Sequence, residues 1–296
     1  MDSELRSQAA RYVHLLRRSG KKDAWLPSGL VRRLPGASAP SSQTPAARKT
    51  VPVPSSPLSR LSSPSSANAA APVPASKSNF NLNLSLKDGS KAERLEQLKK
   101  QTSACTICPH LAKSRTQVVF GVGNAEAKLM FVGEAPGADE DEKGEPFVGR
   151  AGQLLTKMIV AMELTREQVY IANVLKCRPD MPAKSSGNRK PTRAEMDACL
   201  PYLRAQVAVI APQVIVALGA TAVEGLFGPQ KTNISRLRGS WRELDGVPVR
   251  LTFHPSYLLH NQDISLKRLV WEDLLAAMER LGLPISEKQR GFFLKS

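Results

Sequence analysis

From Lys91 to the carboxyl end the chain alternates between two hydrophobic patterns. Short, largely apolar runs occur at Leu129–Val132, Val169–Leu175, Val214–Leu218 and Val249–Phe253. Between them apolar residues recur every three or four positions, as in Leu154, Leu155, Met158, Ile159 and Met162. The first pattern predicts buried strands and the second amphipathic helices. Helices are expected at 92–104, 151–162, 192–210, 220–227 and 264–281, and Val118–Phe120 reads as a short strand or edge. Strands alternating with helices predict a three-layer α/β/α fold around a central, mostly parallel four-stranded sheet. The roughly 190 residues involved suffice for one sizeable core.

The stretch 129–155 organises the rest. Leu129–Val132 ends abruptly in Gly133, a loop dense in acidic residues follows as far as Glu145, and Gly149–Gly152 leads into a helical pattern. In an open α/β sheet, the loop leaving a strand's carboxyl end is where ligands sit. The glycine spacing fits neither G-x-G-x-x-G nor the Walker pattern, which argues against a dinucleotide or nucleoside triphosphate. Glu134 directly follows the first of these strands, Asn173 lies near the end of the second, and His254 directly follows the fourth. All three therefore face one carboxyl edge of the sheet.

The first 88 residues have a different composition. Residues 1–34 form a basic arm in which 2–18 can make an amphipathic helix, with Leu5, Ala9, Tyr12, Val13 and Leu16 on one side. Residues 35–88 are dominated by Pro, Ser and Ala and are expected to be a disordered tether, lacking the apolar surface to offset ordering entropy. Of the formal net charge of +16, +9 lies in residues 1–90. Such an excess is the electrostatic footprint of a protein that meets a polyanion, nucleic acid before acidic lipid.

No apolar run approaches the roughly 18 residues needed to span a bilayer. Arg6, Arg11, Arg17 and Arg18 interrupt the amino-terminal apolar positions, against a signal peptide. A cytoplasmic location, bacterial cytosol or nucleoid, is expected. There the four cysteines read as metal ligands rather than disulfides. Cys105 and Cys108 have C-x-x-C spacing, Cys177 follows the second strand, and Cys199 lies on the next helix. Zinc and a [4Fe–4S] cluster both accept four thiolates, and spacing does not separate them.

Gly133-Glu134-Ala135-Pro136-Gly137 is followed by Gly144-Glu145-Pro146-Phe147-Val148-Gly149-Arg150-Ala151-Gly152. Next come Asn173-Val174-Leu175-Lys176-Cys177-Arg178-Pro179 and His254-Pro255-Ser256. In this order the motifs resemble those of family-four uracil-DNA glycosylases, the iron–sulfur branch of that superfamily. The likeness runs from about Cys105 to about Leu281, so 89–285 is expected to be the glycosylase domain and 286–296 a tail.

The resemblance implies a [4Fe–4S] cluster on Cys105, Cys108, Cys177 and Cys199; by analogy with closed structural metal sites its expected role is structural rather than redox sensing. It also implies base-excision repair, in which uracil is flipped out of DNA and its N-glycosidic bond is hydrolysed. Phe147 would stack on the base, and Asn173 would pair with its Watson–Crick edge. His254 would donate to O2, where negative charge collects. Backbone groups at Gly133, Ala135 and Gly137 would frame the pocket. The best-known members carry an Asp where this chain has Ala135, so Glu134 is expected to position the water, with Glu140 as second choice. Arg150, Ser256 and Leu258 would meet DNA, Leu258 as an apolar wedge. Lys176, Arg178, Arg189, Lys190 and Arg193 are further candidates for phosphates.

No Lys occupies a Schiff-base position, so the enzyme is expected to be monofunctional. The segment Gln289-Arg290-Gly291-Phe292-Phe293-Leu294 is loosely similar to peptides that bind bacterial sliding clamps. A sliding clamp or replication protein, reached through the termini of a monomer, is the expected protein partner. Two other readings stand beside these. A covalent uracil-DNA binder would need a His in the loop after the second strand, and none lies between Lys176 and Cys199. A non-catalytic Fe–S nucleic-acid module would not need Phe147, Asn173 and His254 together.

Overall fold

The computed structural model describes residues 84–181 and 187–294. The expectations for the arm at 1–34, and for the linker up to residue 83, lie outside these. Helices α1 (Lys91–Ser103) and α2 (Pro109–Ser114) precede strands β1 (Val122–Gly123) and β2 (Leu129–Gly133). Helices α3 (Ala138–Lys143) and α4 (Arg150–Ala161) lead to β3 (Tyr170–Asn173), then α5 (Arg193–Ile210), β4 (Val214–Leu218), α6 (Ala220–Phe227) and α7 (Ile234–Leu237). The chain continues through β5 (Trp241–Leu244), β6 (Val247–Thr252), α8 (Pro255–His260), α9 (Ile264–Arg280) and α10 (Glu287–Arg290).

The sheet order is β1-β3-β2-β4-β6-β5. The inner four strands are parallel, as expected, and the edges are antiparallel: β1 pairs with β3 and β5 with β6. The sheet therefore has six strands, not four. The predicted edge at Val118–Phe120 is irregular, and pairing begins two residues later. The missed β5–β6 hairpin turns on Asp245–Gly246, both at positive φ (50° and 85°). Asp-Gly is a strong hairpin signal, but the mixed polarity of Trp241–Leu244 hid the first strand.

Side-chain alternation assigns the two faces of the sheet. Met130 and Val132 pack with Ile215, Ala217 and Leu251 in one core, which also takes in Leu98, Leu203 and Val207 from α1 and α5. Leu129 and Phe131 point the other way and join Val214, Val216, Met158 and Trp271 in a second. Phe131 and Trp271 are fully buried; truncating either to Ala typically costs about 3–5 kcal/mol.

The carboxyl-terminal segment, expected to be a tail, packs on the domain. Trp271 Nε1 donates to the Gln289 carbonyl at 2.6 Å, and the rings of Trp271 and Phe292 lie 5.2 Å apart. Phe292 is buried, while Leu294 is 57% exposed. The aromatic pair is thus part of the fold, and a clamp contact through it would need the segment to peel away. Among the described residues no helix is long and apolar enough to cross a membrane.

Candidate functional site

The carboxyl ends of β2, β3 and β6 bring the predicted residues together around a cavity of about 300 Å³. Its lining includes Glu134, Phe147, Asn173, Asn188, His254 and Ser256. At the strand ends Gly133 pairs with Asn173 across the parallel strands. A Cβ on Gly133 would lie 2.4 Å from Asn173 Oδ1 and 2.4 Å from Phe147 Cζ. Only the missing side chain lets amide and ring close on the strand end.

Phe147 is held in a costly conformation, with φ at 55° and the side chain buried. Left-handed geometry at a non-glycine residue persists when its surroundings over-determine it. Here Arg166 does so, donating to the Pro146 carbonyl at 2.9 Å and the Phe147 carbonyl at 3.2 Å. The Phe147 and His254 rings sit 5.7 Å apart. Gly219, at φ 91°, leaves room for His254, since a Cβ there would stand 2.8 Å from that of the imidazole.

His254 caps α8. Its Nδ1 accepts the Ser256 backbone N–H at 3.1 Å and lies 2.7 Å from the Ser256 hydroxyl. A nitrogen that accepts from an amide carries no proton, so in the neutral ring the proton sits on Nε2. Burial pushes the imidazole pKa down to about 4, so the ring is neutral at pH 7. Asn173 is 2% exposed, and its Oδ1 is buried with no hydrogen-bond partner. An orphaned buried acceptor facing a cavity is costly unless a ligand supplies the donor.

The two carboxylates differ. Burial raises the Glu134 pKa, opposed by a hydrogen bond from Thr221 and by the charge of Lys190. Glu140 is committed to the backbone: its Oε1 accepts from Val148 and Gly149 N–H, each at 2.9 Å, and its Oε2 from Gly137 N–H at 3.1 Å. Asp141 likewise accepts from Thr116 N–H. The acidic loop expected after β2 is therefore partly the helix α3, whose acids satisfy backbone donors and the positive helix start.

The four sulfurs share one neighbourhood between α1, α2, the β3 exit and α5. The pKa of Cys108 is raised first by burial and then by Cys177 and Cys105. Burial pushes Cys199 up to about 12, with Cys177 and Cys105 adding to the rise and Lys176 opposing it. Two N–H groups donate to sulfur: Arg115 to Cys177 at 3.1 Å, and the Lys176 backbone to Cys199 at 3.2 Å. Such donors suit thiolate ligands.

Among the described residues, the His, Cys or carboxylate ligand atoms that come within 4.8 Å of one another as a group of three are those of His110, Asp180 and Glu195. Arg189 already bridges both of these carboxylates, and His110 Nε2 lies 2.7 Å from Glu195. That group is a filled ion-pair network.

Several predicted DNA contacts fall elsewhere. Leu258 is 2% exposed and belongs to the core, so it is no wedge; its neighbour Tyr257 is 46% exposed and stacks on Phe253. Helical rotation turns the two side chains apart. Ser256 faces His254, as above. Arg150 is exposed at the first turn of α4. Lys176 is 1% exposed and cannot reach a phosphate. Arg189 and Arg193 are engaged by Asp180 and Glu195, and by Asp197, and Lys190 pairs with Glu224. Arg178 donates to the Gly187 carbonyl. Asn188, Thr221 and Arg166 were not foreseen. Asn188 follows a polar stretch with no periodicity to orient it.

A mostly parallel α/β sheet with a cavity at its carboxyl edge, in a chain that also gathers four cysteines, defines the class. The profile described as Uracil DNA glycosylase superfamily matches residues 120–275. The chain is 46% identical over 188 residues to the type-4 uracil-DNA glycosylase of Thermotoga maritima, covering 62% of this chain and 93% of that protein. It is 40% identical over 208 residues to the type-4 enzyme of Archaeoglobus fulgidus, covering 68% and 98%. With the type-5 enzyme of Thermus thermophilus the identity is 27% over 210 residues, covering 60% and 91%. The chain belongs to the uracil-DNA glycosylase superfamily, in its type-4 branch, and is a glycosylase enzyme.

Proposed function

We propose that this chain is a monofunctional uracil-DNA glycosylase that extrudes uracil into the cavity and hydrolyses its N-glycosidic bond, leaving an abasic site. The carrying observation is the buried, unpartnered Asn173 Oδ1 in a cavity also lined by Phe147 and His254. Uracil offers the N3–H donor that this oxygen lacks and, at O4, an acceptor for the amide N–H; cytosine reverses the pattern. Phe147 stacks on the ring.

As the bond breaks, its electron pair passes to the base and charge collects on O2. The Nε2–H of neutral His254 donates there, a gain realised as charge develops. Water adds to the sugar cation and loses a proton to solvent or a nearby base. Glu134 is assigned to position that water, while Glu140 holds the loop rather than the nucleophile. Among the described residues the lining holds no lysine to supply an imine.

The four cysteines fit a [4Fe–4S] cluster. Tetrahedral zinc at Zn–S about 2.3 Å needs sulfurs about 3.8 Å apart, and no three of these sulfurs lie within 4.8 Å of one another among the described residues. The wider spread and the N–H···S donors suit a cubane. The cluster, when bound, would tie α1 and α2 to the β3 exit and α5. Duplex contact is assigned to Arg150 and Tyr257.

The test is a uracil-containing oligonucleotide incubated with the protein and then with alkali. Strand breakage by the parent but not His254→Ala supports the reading. Breakage without alkali would indicate lyase chemistry, and a stable protein–DNA adduct would identify a covalent binder. Iron content with broad visible absorbance separates the cluster from zinc.

A further inference from the structure

We infer that Lys176 is a positioning residue for base recognition: its buried amine tethers the Asn173 carbonyl and so fixes the direction in which the Asn173 amide meets uracil. The inference rests on the proposed role of Asn173, and the mechanism above does not use Lys176.

Lysine is among the side chains least often fully buried, yet Lys176 is 1% exposed. Its Nζ folds back to donate to the Asn173 carbonyl at 2.8 Å and to Gln206 Oε1 at 2.5 Å. Gln206, fully buried on α5, is itself fixed: its Nε2 donates to the Phe120 carbonyl at 3.0 Å and the Tyr170 hydroxyl at 3.1 Å. The Lys176 backbone is pinned as well, its carbonyl accepting from Val119 N–H at 2.8 Å and its N–H donating to Cys199.

Asn173 needs such a hold. Strand β1 pairs only with Tyr170 and Ile171, so among the described residues no strand neighbours the outer flank of β3 at Asn173. On the inner flank, Val174 N–H donates to the Gly133 carbonyl at 3.0 Å. Lys176 supplies the missing outer bond through a side chain anchored in α5. A shift of about 1 Å in a group aimed at substrate costs catalysis on the order of 100-fold, so an anchored backbone carbonyl on the same residue as the recognising amide bears directly on the site.

Lys176→Met keeps length and bulk while removing both hydrogen bonds. The measurements are the inhibition constant of free uracil, the single-turnover excision rate normalised to active sites, the affinity for an abasic duplex, and iron content. Expected for Lys176→Met is about a tenfold rise in the uracil inhibition constant and about a tenfold slower rate, with abasic-duplex affinity and iron within twofold of the parent. Gln206→Leu, which keeps the amine but removes its anchor, is expected to change both in the same direction by about threefold, and serves if Lys176→Met does not fold. A purely structural Lys176 would lower the thermal midpoint and the active fraction, yet leave the uracil inhibition constant of the active fraction at the parent value. That result overturns the inference. If the parent itself releases no uracil, or free uracil inhibits Asn173→Ala as it does the parent, it is the proposed reading of the site that fails.

Discussion

Gly133→Ala is the smallest change that probes the whole recognition geometry. The added carbon would lie 2.4 Å from Asn173 Oδ1, and 2.4 and 2.7 Å from two ring carbons of Phe147. Ordinary contact between carbons is about 3.5–4.0 Å, so the ring must retreat by roughly 1 Å or more. It has little room. Phe147 is buried, sits at φ 55°, and is gripped through its carbonyl by Arg166. Asn173 is equally enclosed. Overpacking of this kind costs about 1–3 kcal/mol, partly offset by about 0.4–1 kcal/mol from the stiffer unfolded chain. The thermal midpoint should therefore fall by only a few degrees, at about 2–4 °C per kcal/mol for a domain of this size. Displacing two base-contacting groups by that distance should slow excision on the order of 100-fold. Single-turnover cleavage of a uracil-containing oligonucleotide, beside a thermal melt, reads both. Excision within threefold of the parent rate would refute the placement of uracil between Phe147 and Asn173.

Further outcomes are expected at His254, Tyr257 and Asp273. His254→Ala should slow single-turnover excision by about 10²–10³, the cost of losing one donor to developing charge. Because burial lowers the His254 pKa from 6.5 to about 4, the parent's rate profile should show no titration of His254 near pH 6.5; a midpoint near 6.5 that is absent from His254→Gln would contradict a neutral donor. The same shift makes the unfolded chain bind the proton more readily between those pH values. Its stability contribution, about 3 kcal/mol, is complete above pH 6.5 and is lost as pH falls towards 4, which denaturant titrations of parent and variant should detect. Tyr257→Ala should weaken excision from duplex about tenfold while single-stranded substrate loses less than twofold; equal losses would remove Tyr257 from the duplex contact. Asp273, fully buried, accepts from Arg238, Arg250 and Thr252. Replacing it with Leu strands two cations and should cost about 3–5 kcal/mol, visible as a lower denaturation midpoint.

The sequence alone determined the layered architecture, because the apolar runs of β2, β3, β4 and β6 are too short for helices and the segments between them repeat at helical spacing. It also determined that Glu134, Asn173 and His254 share an edge, since residues that follow parallel strands exit on the same side. Side-chain direction came only with the tertiary structure. Leu258 and Tyr257 are adjacent and both plausible against DNA, and only the packing of α8 on α4 decided which one is buried. Glu140 and Glu134 look alike in a polar loop, yet folding commits one to three backbone donors and leaves the other beside Thr221. Lys176 looked like one more surface cation in a basic chain. Its burial against Gln206, thirty positions away, depends on how α5 closes over β3, a long-range contact that local pattern does not encode.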